Sequence, residues 1–188
     1  MPHPTDKASI IAATRQWIST VIVKYNFCPF ARKELEADTI RYEVVDTPSF
    51  NEVVQSVTEQ CIWLDNHPDT ATTLLMLANG FDDFGVYLDI VDMAQAQVID
   101  PQYQGIYQLA SFHPDYCFGD SDEDDAANYT NRAPYPTIHL IREADITLAL
   151  EDYPAPEQIP QNNIDLARRK GQAKLAALLA ACLRHSSS

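Results

Sequence analysis

Glycine is scarce, with five residues in 188. None falls in a GxGxxG or GxxxxGKS/T pattern, so the glycine-rich turns that let a backbone approach a pyrophosphate or cradle a phosphate are missing. Basic residues are few as well, 13 against 27 acidic ones, which gives a formal charge of −14 and a pI near 4.5. That charge repels phosphodiester backbones and anionic lipid and argues against nucleic acid or a membrane surface as partner. No apolar run reaches the roughly 18 residues of a membrane span. The opening MPHPTDKAS lacks the basic-then-apolar layout of a secretion signal. The four cysteines, Cys28, Cys61, Cys117 and Cys182, match neither paired CxxC zinc spacing nor a small disulfide framework. Together these absences predict a cytoplasmic protein with reduced thiols.

What is present is an ordinary core composition, 46% hydrophobic and 21% charged. The length predicts one domain, with a core over residues 1–155 and a C-terminal helix and disordered tail over 156–188 packed on it.

Asp6 can cap a helix to about Tyr25, with Ile10, Trp17, Ile18, Val21 and Tyr25 on one face, although the β-branched Val21-Ile22-Val23 also suits a strand. Pro29 predicts a short helix over 29–37 with Cys28 at its N-cap. Residues 39–46 (TIRYEVVD) alternate as a strand does. Helical spacing returns over 48–66, and 72–78 (TTLLMLA) is continuous enough for a strand buried on both faces. Asn79-Gly80 marks a turn, Asp82 and Asp83 open a helix to about Val98, Asp100-Pro101 marks another turn, and 105–112 forms a third strand. Strands alternating with helices predict an α/β fold of βαβαβ type, a mostly parallel sheet flanked by helices. Residues 137–143 add a fourth strand at an edge or a helical turn. From Pro156 a helix runs to about Leu183, with a break near Gly171.

Between the third strand and residue 137 lies a polar stretch of about 24 residues without apolar periodicity, too long for an idle loop in a compact domain. Ligands of open parallel sheets sit outside the carboxyl ends of the strands, and the loop begins at one such end, His113. This predicts a polar pocket there.

Three motifs lie in and before this region: Cys28-Pro29-Phe30-Ala31, Ser111-Phe112-His113-Pro114-Asp115-Tyr116, and Asn128-Tyr129-Thr130-Asn131-Arg132 followed by Pro134-Tyr135-Pro136-Thr137 and His139-Leu140-Ile141-Arg142-Glu143. On these the chain resembles the DUF1415 family of bacteria and plants, over roughly residues 10–171. The resemblance implies that the motifs are a family signature and meet in space; it implies no activity. Cys28-Pro29-Phe30-Ala31 is also similar to the active-site segment of omega-class glutathione transferases. The helical period of residues 10–25 and the distance to Tyr135-Pro136-Thr137 argue against that layout.

Each candidate residue has a chemical and a structural role to weigh. Cys28 at a helix N-terminus, near Arg32 and Lys33, is a candidate nucleophile or redox thiol, against a plain buried cysteine. His113 is a candidate acid–base group that Asp115, Asn128 or Asn131 would orient, against a histidine held by loop carbonyls. Arg132 and Arg142 are candidate anion binders, against internal ion pairs with Asp115 or Glu143. His139 can face the site or be structural. With His113, Asp115 and Cys28 it could form a metal site, but no short ligand pair supports one. Asp120 to Asp124 opens like a calcium loop, yet Asp125 and Asn131 stand where glycine and glutamate are required. Three functional classes follow. The leading one is a thiol-dependent enzyme, a hydrolase, transferase or redox protein, acting on a small anionic metabolite, with Cys28 and His113 catalytic and Asp115, Asn128, Asn131, Arg132, His139 and Arg142 binding. The second is a non-catalytic ligand- or partner-binding module whose polar loop is structural. The third is a metal-dependent hydrolase using His113 and His139. Neither a cofactor nor an oligomeric state is assigned.

Overall fold

The structure, a computed structural model, describes residues 6–151 and 153–185. Helix α1 (Lys7–Trp17) starts where expected, because the Asp6 carboxylate accepts from the N–H groups of Ala8 and Ser9 at 3.3 Å. It continues as a π-helical stretch, Ile18–Val23, so the Val21-Ile22-Val23 run stays helical and buries all three side chains. Helix α2 (Ala31–Glu36) is shorter than expected and has Phe30, not Cys28, at its N-cap. The reason is local: Phe30 already holds helical dihedrals, and the Cys28 carbonyl accepts from Ala31 N–H in a separate turn at 3.3 Å.

Strand β1 (Ile40–Val45) leads to α3 (Phe50–Asn66), capped by Ser49, and then to β2 (Thr72–Leu77), whose six residues are all buried. Helix α4 (Phe84–Ala94) is capped by Asp83 and widens into a π-helical segment, Gln95–Tyr103. That segment contains Pro101, so the Asp100-Pro101 turn is absorbed into a helix that loses α-geometry where proline removes a donor. Strands β3 (Tyr107–Phe112) and β4 (Thr137–Arg142) follow, then α5 (Glu143–Glu151), α6 (Ile159–Lys170) and α7 (Gln172–His185). Gly171, at φ +84°, separates the last two. Helix α7 reaches His185, and the expected disorder of residues 186–188 lies outside the described residues.

The sheet order is β1-β2-β4-β3, with β1 parallel to β2 and β4 antiparallel to both β2 and β3. The sheet is therefore mixed rather than mostly parallel, and β4 is central rather than an edge. Strands β1, β2 and β3 do share one direction, as βαβαβ alternation requires, but β4 occupies the slot between β2 and β3. Burial explains this placement: Thr137, Ile138 and Leu140 are essentially inaccessible, which an edge would not provide, whereas Gln108 of β3 is exposed.

Helices cover both faces. Val53, Val57 and Leu64 of α3 and Tyr87 and Ile90 of α4 pack against Leu75, Ile138 and Leu140 on one. Trp17, Val21, Leu175 and Cys182 pack against Val44, Leu74 and Met76 on the other. The carboxyl ends of β1, β2 and β3 and the start of β4 share one edge of the sheet, where Gly80 turns the chain at φ +87°. A Cβ on Gly80 would lie 2.5 Å from Pro48 Cβ, whereas one on Gly105, also at positive φ, meets nothing within 4 Å. Gly105→Ala is expected to cost about 1–2 kcal/mol from conformation alone. Gly80→Ala is expected to cost more, because the clash adds to the strain. Urea denaturation of both variants checks the order.

Candidate functional site

The polar loop begins where β3 ends, and its first residue is its best-held one. His113 is completely buried. Its main chain is held within the loop, donating to the Asn131 carbonyl at 3.2 Å and accepting from Ala133 N–H at 3.4 Å. Its Nδ1 lies 3.0 Å from Asp115 N–H and its Nε2 lies 3.0 Å from the Phe81 carbonyl. A backbone N–H can only donate and a carbonyl can only accept, so the ring is the neutral tautomer protonated at Nε2. The rings of Phe84 and Tyr87 pack 5.2 and 5.1 Å from it. Burial pushes the imidazole below its ordinary pKa, and the Phe81 carbonyl and the charges of Asp115, Asp82 and Asp83 oppose this only in part.

The other loop candidates, except Asp115, also turn to backbone groups in or beside the loop. Asp115 is exposed, and its backbone N–H rather than its carboxylate meets the His113 ring. Asn128, fully buried, accepts from Phe118 N–H at 3.1 Å and donates to the Asp122 carbonyl at 2.9 Å, closing the acidic turn around itself. Asn131 donates to the Ser111 carbonyl at 3.2 Å. Arg132 donates to the carbonyls of Tyr116 at 3.0 Å and Glu123 at 2.8 Å, with its guanidinium over the Tyr129 ring. Asp125 caps the short 3-10 turn Ala126–Thr130 and pairs with Arg168 of α6 at 2.7 Å, which fastens the loop to the helical layer.

Arg142 is at the far end of the sheet. It pairs in register with Tyr107, the first residue of β3, roughly 17 Å along β4 from the loop at 3.3 Å per residue. Its guanidinium donates to the carbonyls of Leu64 at 2.6 Å, His67 at 3.2 Å and Thr70 at 3.1 Å. A cation there also suits the negative end of α3. The two arginines therefore do not form one anion clamp. His139 lies on the opposite sheet face from Arg142. Thr72 Oγ1 donates to the Leu140 carbonyl and so accepts from His139 Nε2 at 2.7 Å. Burial lowers the His139 pKa to about 4.

Cys28 packs against the layer of α1, α6 and α7, whereas the ring of His113 packs against α4, so the two candidate catalytic groups lie on opposite sides of the sheet. Burial raises the Cys28 thiol pKa; the N–H groups of Phe30 and Ala31 at its sulfur pull the other way but do not win. Among the described residues, no three His, Cys, Asp or Glu side chains are grouped to hold a metal ion. None of the described helices is long and apolar enough to cross a membrane.

One polar constellation lies outside all three motifs. A groove of about 410 Å³ runs between the edge strand β1 and the outer side of α3, lined by Arg41, Glu43, Asp46, Glu52, Glu59 and Trp63 among others. The Arg41 guanidinium sits 3.9 Å over the Trp63 ring, and His67 stacks on Trp63 at 3.7 Å with 3° between planes. Arg41 is held by Gln60 and Glu43, each at 2.8 Å. The Trp63–His67 spacing of four residues on a helix was available in the sequence; Arg41 alternating outward on β1 was too, but only the fold joins them.

The two buried neutral histidines set a sign for acid behaviour. A histidine whose folded pKa lies below its unfolded value near 6.5 contributes fully above that value and loses its contribution as pH falls toward the folded one. The urea midpoint is therefore expected to fall between pH 6.5 and 4, and to fall less in His139→Gln.

No curated protein and no solved structure matches the chain. A family model described as "protein of unknown function (DUF1415)" matches residues 9–177. With that match covering most of the sequence, the chain belongs to the DUF1415 family.

Proposed function

We propose that this chain is a non-catalytic binding module, in which the polar loop is scaffolding and the groove between β1 and α3 is the ligand-facing surface. The observation that carries this reading is the engagement of both His113 ring nitrogens by backbone groups. A general base needs a free lone pair within reach of its substrate's proton, and this imidazole has none to offer. The same holds for anion recognition, because Arg132 and Arg142 direct their donors to backbone carbonyls. The groove instead presents carboxylates at a sheet edge. Glu43 is paired with Arg41, while Asp46, Glu52 and Glu59 are exposed and in no ion pair among the described residues.

A thiol-dependent enzyme is the second reading, favoured by the two backbone N–H groups at Cys28 Sγ. Burial of the thiol and its separation from His113 weigh against it. Two measurements separate the readings. Asn128→Ala is expected to destabilise the fold by about 1–3 kcal/mol, the cost of leaving buried loop groups unpaired. Iodoacetamide is expected to modify the half-buried Cys28 slowly in the native protein, at a rate that rises only above the ordinary thiol range. Rapid native-state alkylation of Cys28, titrating below the ordinary thiol value of about 8.5, would restore the enzyme reading.

A further inference from the structure

We infer that the outer edge of β1 takes up an extended, basic polypeptide segment as an additional strand, with its lysine or arginine side chains in the groove beside α3. The inference rests on the binding-module reading and names the partner of that surface.

The backbone supplies the first half of the argument. β1 is the terminal strand on its side of the sheet. The carbonyls of Thr39 and Val45 accept from Ala71 and Ala78, on the β2 side. Both backbone groups of a strand residue point the same way, and direction alternates along the strand. Arg41 and Glu43 therefore also face β2, and Ile40, Tyr42 and Val44 direct their N–H and C=O groups away from it; Ile40 and Tyr42 are partly exposed there, whereas Val44 is buried, so the open row is the first half of the strand. Among the described residues no backbone group pairs with that outward row. An unpaired row of this kind is a template for strand addition, which gives affinity through main-chain bonds and specificity through alternate side chains.

The side chains supply the second half. Those of Arg41, Glu43 and Val45 face α3, and with Asp46, Glu52 and Glu59 they wall the groove that an added strand would overlie. Alternate residues of that strand would enter the groove and meet carboxylates. The Trp63 indole Nε1 is buried there without a hydrogen-bond partner, and Arg41, pinned on the Trp63 ring by Gln60 and Glu43, forms its ion pair with Glu43 rather than with the exposed acids. Charge also decides between occupants. A second copy paired edge to edge would set one acidic groove against another on chains of formal charge −14, which like-charge repulsion opposes.

The probe is a ten-residue peptide of alternating lysine and threonine. Its controls are alternating glutamate and threonine, and the basic peptide with two central threonines replaced by proline, which removes main-chain donors. Binding is read by titration calorimetry, and the edge by amide hydrogen exchange. The expected result has four parts: the basic peptide binds; exchange at Ile40 and Tyr42 slows at least tenfold; the proline peptide binds at least tenfold more weakly; and the exposed-site double variant Glu52→Lys/Glu59→Lys loses affinity at least tenfold. The proposal is overturned by no binding, by proline and threonine peptides binding alike, by binding indifferent to the double variant, or by sedimentation showing that a second copy already occupies the edge. Any of these leaves the scaffold role of the loop standing, whereas fast native alkylation of Cys28 would remove the binding-module reading without altering the edge.

Discussion

Strand β4 enters the sheet at the end where β3 leaves it, and it enters between β3 and β2 rather than beside β3 on the outside. The chain therefore needs no crossover helix between them, and the connecting residues must instead roof the end of the sheet. A roof of irregular chain has no ladder to satisfy its backbone, so each buried N–H and carbonyl needs a dedicated partner. His113, Asn128, Asn131 and Arg132 are those partners. The polar side chains of the loop are hydrogen-bonded in this way.

The same logic runs through the molecule. Tyr87 of α4 donates its hydroxyl to the Thr137 carbonyl at 2.7 Å and accepts from Phe112 N–H at 3.1 Å, joining the start of β4 to the end of β3. Arg142 gathers the carbonyls of Leu64, His67 and Thr70 at and just beyond the end of α3. Thr72 and His139 join β2 to β4 across one sheet face. These are polar groups made to serve strand placement, and burial is the main cause of the pKa shifts of Tyr87 and His139. The groove beside β1 is the opposite kind of surface, with exposed carboxylates and an edge strand whose outward backbone groups have no partner among the described residues.

The elements were legible because their signals are local: the Asp6 and Asp83 caps, the alternation over 39–46 and the continuous run of β2 all behave as expected. The strand order was not, because alternation of strand and helix fixes direction but leaves open whether a later strand is inserted. The pattern of β4, with His139 and Arg142 among aliphatics, suits a half-exposed edge unless their partners are known, and Thr72 and the α3 carbonyls are distant in sequence. The role of the candidate site residues was not legible for a related reason. His, Asn and Arg are the residues of active sites and equally those that staple irregular backbone, and only their partners distinguish the two uses. The Cys28 environment turned on burial, which a cysteine followed by proline does not reveal. The groove escaped notice because Arg41, Glu43 and Trp63 each belong to an amphipathic pattern that the fold alone explains.

The most direct test of a scaffolding loop is the protonation state of His113, followed by long-range nitrogen–proton NMR of the imidazole across pH 7.5 to 5.5. The predicted result is a single neutral ring protonated at Nε2, with its nitrogen shifts unchanged over that range while the protein stays folded. A ring that titrates with a midpoint near the ordinary 6.5, or that exchanges between tautomers, would contradict the account and return His113 to the list of catalytic groups.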